Sequence, residues 1–270
     1  MRRGHIAPIG RFAELVEAAS FAGTMANRLT WLGHSTVLID LDGTRAITDP
    51  MLRRRVAHLI RARKVADVAF EAVDVALVSH AHRDHLDVPS LERIGRDVTV
   101  VVPRGVRPLL ADRGFSDVVE VVEGSELELG RIRLRATYAE HAAGRGPLGA
   151  KSAALGYLLE GSRRVYFAGD TDLFDGMEGL AAGLDVAILP IAGWGPRLPP
   201  GHLDAERAAQ AVAMLRPRRV IPIHWGTYRP MYTRASLATS EAAARFAARV
   251  GELAPDVEVQ VLLVGESAAI

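Results

Sequence analysis

Ser79-His80-Ala81-His82-Arg83-Asp84-His85-Leu86-Asp87 is the stretch that decides how this chain is read. It follows the apolar run 75–79, which has the length and composition of a buried strand. His80, His82, Asp84 and His85 put four metal-capable groups within six residues. That is too crowded for one tetrahedral zinc, but natural for two adjacent ions held by imidazole and carboxylate. A lone His-x-His belongs more often to a solvated polar loop. The full string directly after a buried strand reverses that preference.

Working outward, the segments 29–33, 36–41 and 44–48 alternate or run apolar between turn residues, as strands do, with Asp42-Gly43 as a hairpin turn. A basic amphipathic stretch, 51–64, reads as a solvated helix face. Strands are expected at 98–102, 118–122 and 132–138, with a short helix at 106–113. The second half repeats the theme: a hairpin of 153–159 and 164–168, buried strands at 186–190 and 220–223, and a helix over 204–215 with Asp204 as its N-cap. An Ala-rich helix at 236–250 and a closing strand at 257–264 complete the chain, and a helix is expected at 11–27. Strand-rich halves with interspersed helices predict two sheets packed face to face under helical outer layers.

Composition narrows the chemistry. With 270 residues, 49% of them hydrophobic, the chain can bury one large core. Its formal net charge of +1 gives no whole-molecule argument for nucleic acid, and no nucleic-acid partner is expected. There is no cysteine, so thiolate zinc sites, disulfides and a cysteine nucleophile are excluded, and a cytoplasmic location is the expectation. No apolar run approaches the roughly 20 residues that span a bilayer. The Met1-Arg2-Arg3 start is read as a mature N-terminus, because Arg11, Glu14 and Glu17 interrupt any apolar segment behind it.

The His-x-His-x-Asp-His string resembles the signature of the metallo-β-lactamase superfamily. The similarity continues through Trp31-Leu32-Gly33-His34-Ser35-Thr36, Thr48-Asp49-Pro50, Ala139-Glu140-His141, Phe167-Ala168-Gly169-Asp170-Thr171, Gly201-His202-Leu203-Asp204 and Ile223-His224-Trp225-Gly226-Thr227. In this order the motifs look like the branch containing N-acyl-phosphatidylethanolamine-hydrolysing phospholipase D and, more distantly, ascorbate 6-phosphate lactonases. The resemblance implies an α+β fold, a four-layer αββα sandwich. It further implies a single domain of two similar halves, about 28–145 and 150–266, behind an N-terminal helical extension, 1–27.

It also implies a ligand set: His80, His82 and His141 for one divalent ion, Asp84, His85 and His224 for the other, and Asp170 between them. Zinc is the first expectation, with manganese or iron as alternatives. Asp49 would sit beneath the site and fix a ligand histidine by a hydrogen bond, with His34 beside it. Asp84 and His202 are the candidate catalytic residues, and Arg145, Lys151 and Trp194 the candidate substrate contacts. Trp225, Tyr228, Arg197 and Tyr232 stand between lining the entrance and packing.

Two ions roughly 3.5–4 Å apart can share and acidify a water, which removes the need for a protein nucleophile. The first reading is therefore hydrolysis of a phosphodiester, in a phospholipid-like or smaller substrate. The second is a lactonase or related carbonyl hydrolase of a small phosphorylated or acidic metabolite, and the third a noncatalytic metal-binding protein on the same scaffold. Arg53, Arg54, Arg55, Arg61, Arg63 and Lys64 could meet anionic headgroups at a membrane surface. Ala142 and Ala143 stand where the phospholipase-like branch often has aromatics, and 152–154 lacks its Trp. A homo-oligomer is compatible with all three readings.

Overall fold

The computed structural model describes residues 26–56, 59–62, 70–143, 152–192, 198–231 and 240–270. The expected helix at 11–27, and the expected roles of Arg145, Lys151, Trp194, Arg197 and Tyr232, fall outside the described residues apart from 26 and 27, which are not helical.

In the first half, strands β1 (Arg28–Gly33), β2 (Thr36–Leu41) and β3 (Thr44–Thr48) form a meander. It continues in parallel through β6 (Val75–Leu77), β7 (Thr99–Pro103) and β8 (Val118–Val121). Between β3 and β6 lie the short strands β4 (Arg55–Val56) and β5 (Leu59–Arg61). The second sheet contains β9 (Glu126–Leu129), β10 (Ile132–Tyr138), β11 (Leu155–Glu160), β12 (Arg164–Phe167), β13 (Val186–Pro190) and β14 (Arg219–Ile223). Beyond these come β15 (Tyr228–Pro230), β16 (Glu258–Val259) and β17 (Ser267–Ala269). The sheet orders are β17-β1-β2-β3-β6-β7-β8 and β16-β14-β13-β12-β11-β10-β9, with a small third sheet β15-β5-β4.

The period-2 geometry of a strand explains why these segments are apolar on both sides. Ala46, Val75, Leu77 and Val101 point into the cluster shared with the second sheet, where Leu134, Tyr157, Phe167 and Ile188 meet them. Their neighbours Ile47, Ala76, Val78, Val100 and Val102 point the other way, onto α1 (Val88–Ile94) and α2 (Arg107–Ala111) through Leu91, Ile94 and Leu110. On the far side α3 (Ala205–Leu215) and α4 (Ser240–Leu253) cover the second sheet with Ala208, Val212, Phe246 and Val250. The result is the four-layer αββα sandwich, an α+β fold. Each fully buried Leu, Ile or Phe contributes roughly 1.5–3 kcal/mol.

Two expectations are corrected. The basic stretch 51–64 is not a helix where it is described: it makes the hairpin β4–β5, and Tyr228↔Arg61 pairing adds β15 to it. The closing strand 257–264 shrinks to Glu258–Val259, because the ladder with β14 holds only those residues before a last bond from the Gln260 amide to the Val220 carbonyl. The chain then leaves that sheet and adds β17 to the edge of β1. Helix α1 was not foreseen, although Asp87 caps it by accepting from the Ser90 amide. The expected cap of α3 is seen, with Asp204 accepting from the Arg207 amide.

The two large sheets touch closely at one seam. Gly169 follows β12 with φ +62°, and a Cβ there would lie 2.6 Å from Ser79 Cβ at the end of β6. The Leu155 amide donates to the Ser79 carbonyl at 2.9 Å, and the Tyr157 hydroxyl to the Val78 carbonyl at 2.7 Å. Gly169→Ala is therefore expected to destabilise the fold by about 1–3 kcal/mol in urea unfolding. Gly179→Ala, where a Cβ meets nothing within 4 Å, should stay within about 0.5 kcal/mol of the parent.

Candidate metal centre

Every site residue except His202 lies just beyond the C-terminal end of a strand. His34 follows β1, Asp49 follows β3, 79–85 follows β6, His141 follows β10, Asp170 follows β12 and His224 follows β14. These strands run in one direction within each sheet, so their loops gather at one edge of the sandwich, where rigid strand ends fix them.

Asp49, wholly buried, organises the floor. Its Oδ1 accepts from the Ser79 amide at 2.6 Å, and its Oδ2 from the Ser79 hydroxyl at 2.6 Å and from His85 Nδ1 at 2.8 Å. Since the Ser79 hydroxyl gives its proton to Asp49, it accepts from His80 Nδ1 at 2.9 Å. Elsewhere backbone carbonyls do this work. His141 Nδ1 donates to Gly201 O at 2.7 Å and His224 Nδ1 to Ala192 O at 2.8 Å. In all four histidines the Nδ1–H is engaged, which leaves Nε2 as the electron-pair donor facing the centre.

Two groups of such atoms, His80, His82 and His141, and His34, Asp84, His85 and His224, are joined by two more that share Asp170, namely His80, His85 and Asp170, and His141, Asp170 and His202, each with its atoms within 4.8 Å of one another. Asp170 stands between them. Its Oδ2 lies 3.1 Å from His85 Nε2 and 3.6 Å from His202 Nε2, and its Oδ1 3.5 Å from His224 Nε2. His82 Nδ1 is 3.2 Å from His141 Nε2, and His34 Nε2 donates to Asp84 Oδ2 at 3.2 Å.

The electrostatics express the same convergence. Burial and the neighbouring charge on His85 hold His80 well below the usual histidine range. Burial alone would raise the Asp170 carboxyl, but the facing His224 and His85 overcome it and hold it well below the carboxylate range. Burial also opposes charge on His85, yet Asp170, Asp84 and Asp49 around it lift its pKa well above the ordinary value, so that positive charge is favoured at its Nε2, as a proton or as a cation in the proton's place. His80 Nε2, His85 Nε2 and Asp170 Oδ1 are buried without a hydrogen-bond partner. Orphaned nitrogen and oxygen donors facing one small space are costly in a fold and fit divalent cations.

Backbone strain concentrates here as well. Of the five non-glycine residues with positive φ among the described residues, His34, Asp49 and His224 belong to this centre, at +56°, +34° and +66°. His202 hangs over it, edge-on to His141 with ring centroids 4.6 Å apart, and its Nδ1 donates to Pro199 O at 3.1 Å. Trp225 and Tyr228 are buried: Trp225 stacks on Trp31, and Tyr228 stands edge-on to His34.

Sequence reasoning missed Ser79 and the carbonyls of Gly201 and Ala192. Backbone carbonyls leave no sequence signal, but Gly201 does, with φ +85° and a Cβ position 3.2 Å from His141 Nδ1. It also missed Thr171, whose hydroxyl accepts from the Glu140 amide at 2.9 Å and ties the His141 loop to the Asp170 loop.

A two-sheet sandwich with a buried His/Asp centre at the strand ends defines a class, the metal-dependent hydrolases of the metallo-β-lactamase fold. The model of the β-lactamase superfamily domain matches residues 44–225, and the chain belongs to that family. It is 32% identical over 248 residues to a UPF0173 metal-dependent hydrolase of Methanopyrus kandleri, covering 89% of this chain and 98% of that one. It is 33% identical over 235 residues to an N-acyl-phosphatidylethanolamine-hydrolyzing phospholipase D of Caenorhabditis elegans, covering 76% of this chain and 65% of that one. The solved structure of Igni18, a metallo hydrolase from Ignicoccus hospitalis, aligns with TM-score 0.67 and 25% identity over 91% of this chain and 99% of that one.

Asp49→Asn puts an amide donor against groups that already donate. It is expected to weaken zinc binding by about 10–100-fold in a chelator-competition titration.

Proposed function

We propose that the chain hydrolyses a phosphodiester, with two divalent cations, zinc first among them, held by His80, His82 and His141 on one side, Asp84, His85 and His224 on the other, and Asp170 between. The observation that carries this reading is the position of Asp170, whose oxygens lie 3.1 and 3.5 Å from His85 and His224 of one group and which also gathers within 4.8 Å of His80 and of His141 of the other. Two cations so held supply an acidified water and polarise the oxygen of the group under attack. The preference for phosphorus over carbonyl draws on the likeness to the phospholipase D of Caenorhabditis elegans. It is supported by Arg83, an exposed cation in the loop between His82 and Asp84.

Burial assigns the other roles. His34, His80, His85, Asp170 and His224 are buried, whereas His82, Asp84, His141 and His202 are partly open. Substrate therefore enters on the side of His82, His141 and His202. His202, its side chain 17% exposed, is placed to pass a proton to a departing alkoxide, and Asp84 orients the attacking water. Among the described residues no helix is long and apolar enough to cross a membrane, so a phospholipid-like substrate would be met from the aqueous side.

The test is turnover of bis(p-nitrophenyl) phosphate against simple lactones by protein of known metal content. Phosphodiester turnover is expected. It should fall by more than about 100-fold in Asp170→Asn and by about 10²–10⁴-fold in kcat in His202→Gln with metal content unchanged. Lactone turnover alone would overturn the phosphodiester reading in favour of a carbonyl hydrolase. Two bound metals with neither activity would leave only the cation centre standing.

A further inference from the structure

We propose that His34 is a positioning residue for one cation position and not the other: its ring holds the Asp84 carboxylate in the orientation in which Asp84, His85 and His224 can share an ion. The proposal rests on reading the His/Asp cluster as a two-cation centre. His34 lies outside the residues that the family model matches.

The argument starts with the backbone. His34 sits at φ +56°, a conformation that is uncommon for any residue but glycine, immediately after β1. It is locked there from both halves of the chain. Its amide donates to Thr227 Oγ1 at 2.6 Å, while its carbonyl accepts from Trp31 Nε1 at 2.9 Å and from the His224 amide at 3.0 Å. The backbone that carries His34 therefore also fixes the backbone of His224.

The ring is fixed too. It is buried, with centroids 3.9 Å from His224 and 5.1 Å from His85, and Tyr228 closes it edge-on at 5.7 Å. From that box Nε2 meets Asp84 Oδ2 at 3.2 Å. An ionised carboxylate only accepts, so Nε2 carries the proton, and His34 acts here as a donor.

Asp84 is the residue this donor meets. Its side chain is 18% exposed, and the same Oδ2 lies 3.5 Å from His85 Nε2. The oxygen that His34 engages is thus the one that faces His85, and a carboxylate oxygen has lone pairs for both a donor and a cation. Nothing equivalent links His34 to His80, His82 or His141 among the contacts of the described residues, so the effect is confined to one position.

The test is isothermal titration of zinc into chelator-treated full-length protein, for the parent, His34→Asn and His34→Gln, with cobalt absorption spectra recorded in parallel. Asn tolerates the left-handed backbone, and its amide falls short of Asp84, whereas the Gln amide reaches the place of Nε2. His34→Asn is expected to weaken the second equivalent by about 10–100-fold and to alter only the cobalt band of that equivalent. The first equivalent stays unchanged, and His34→Gln recovers most of the loss. Equal weakening of both equivalents, no weakening in His34→Asn, or a His34→Gln as weak as His34→Asn overturns the proposal. A parent that takes up fewer than two equivalents overturns the two-cation reading and this proposal with it. That failure is distinguishable because it is present without any substitution.

Discussion

The centre depends on one buried carboxylate. Asp49 has no exposed surface, and it is surrounded by donors: the Ser79 amide, the Ser79 hydroxyl and His85 Nδ1. Three hydrogen bonds to an ionised acceptor are what make such burial tolerable. Because Asp49 follows β3 and Ser79 follows the neighbouring parallel strand β6, the same interaction seals the sheet and aims two histidines. Catalytic geometry and sheet integrity are thus one construction at this point, and the Asp-Pro pair at 49–50 is more than a turn.

Much of the fold was legible in the chain. The strands at 36–41, 44–48, 132–138 and 186–190 have the bounds that apolar patterning suggests, because each is covered on at least one face and its neighbours are turn residues. Patterning failed where tertiary pairing decided. Val257, Val259 and Val261 alternate like a strand, yet the ladder with β14 ends at Val259 and Val261 is exposed. The basic stretch after β3 has helical amphipathicity on paper, but its partner is β15, some 170 residues away by the Arg61↔Tyr228 pair.

The centre divides in the same way. His80, His82, Asp84 and His85 stand out locally because they are crowded behind a buried strand. His141, Asp170 and His224 carry no local mark, and only the order of the motifs drew attention to them. Their proximity arises from strand order, which brings the ends of β10, β12 and β14 to the edge that also carries β6. The Gly201 and Ala192 carbonyls that orient His141 and His224 are common to every residue type and were invisible beforehand.

The left-handed backbone at His34, Asp49 and His224 has an evolutionary side. Each costs on the order of 1–2 kcal/mol relative to an unstrained residue, and glycine would relieve that strain at all three positions. At Asp49 that relief would be outweighed by loss of the hydrogen bonds to Ser79 and His85 that tie β3 to β6, so stability alone would sooner give up the rings of His34 and His224. Those two rings carry a conformational cost that their place at the cation centre, rather than the packing of the sheets, accounts for.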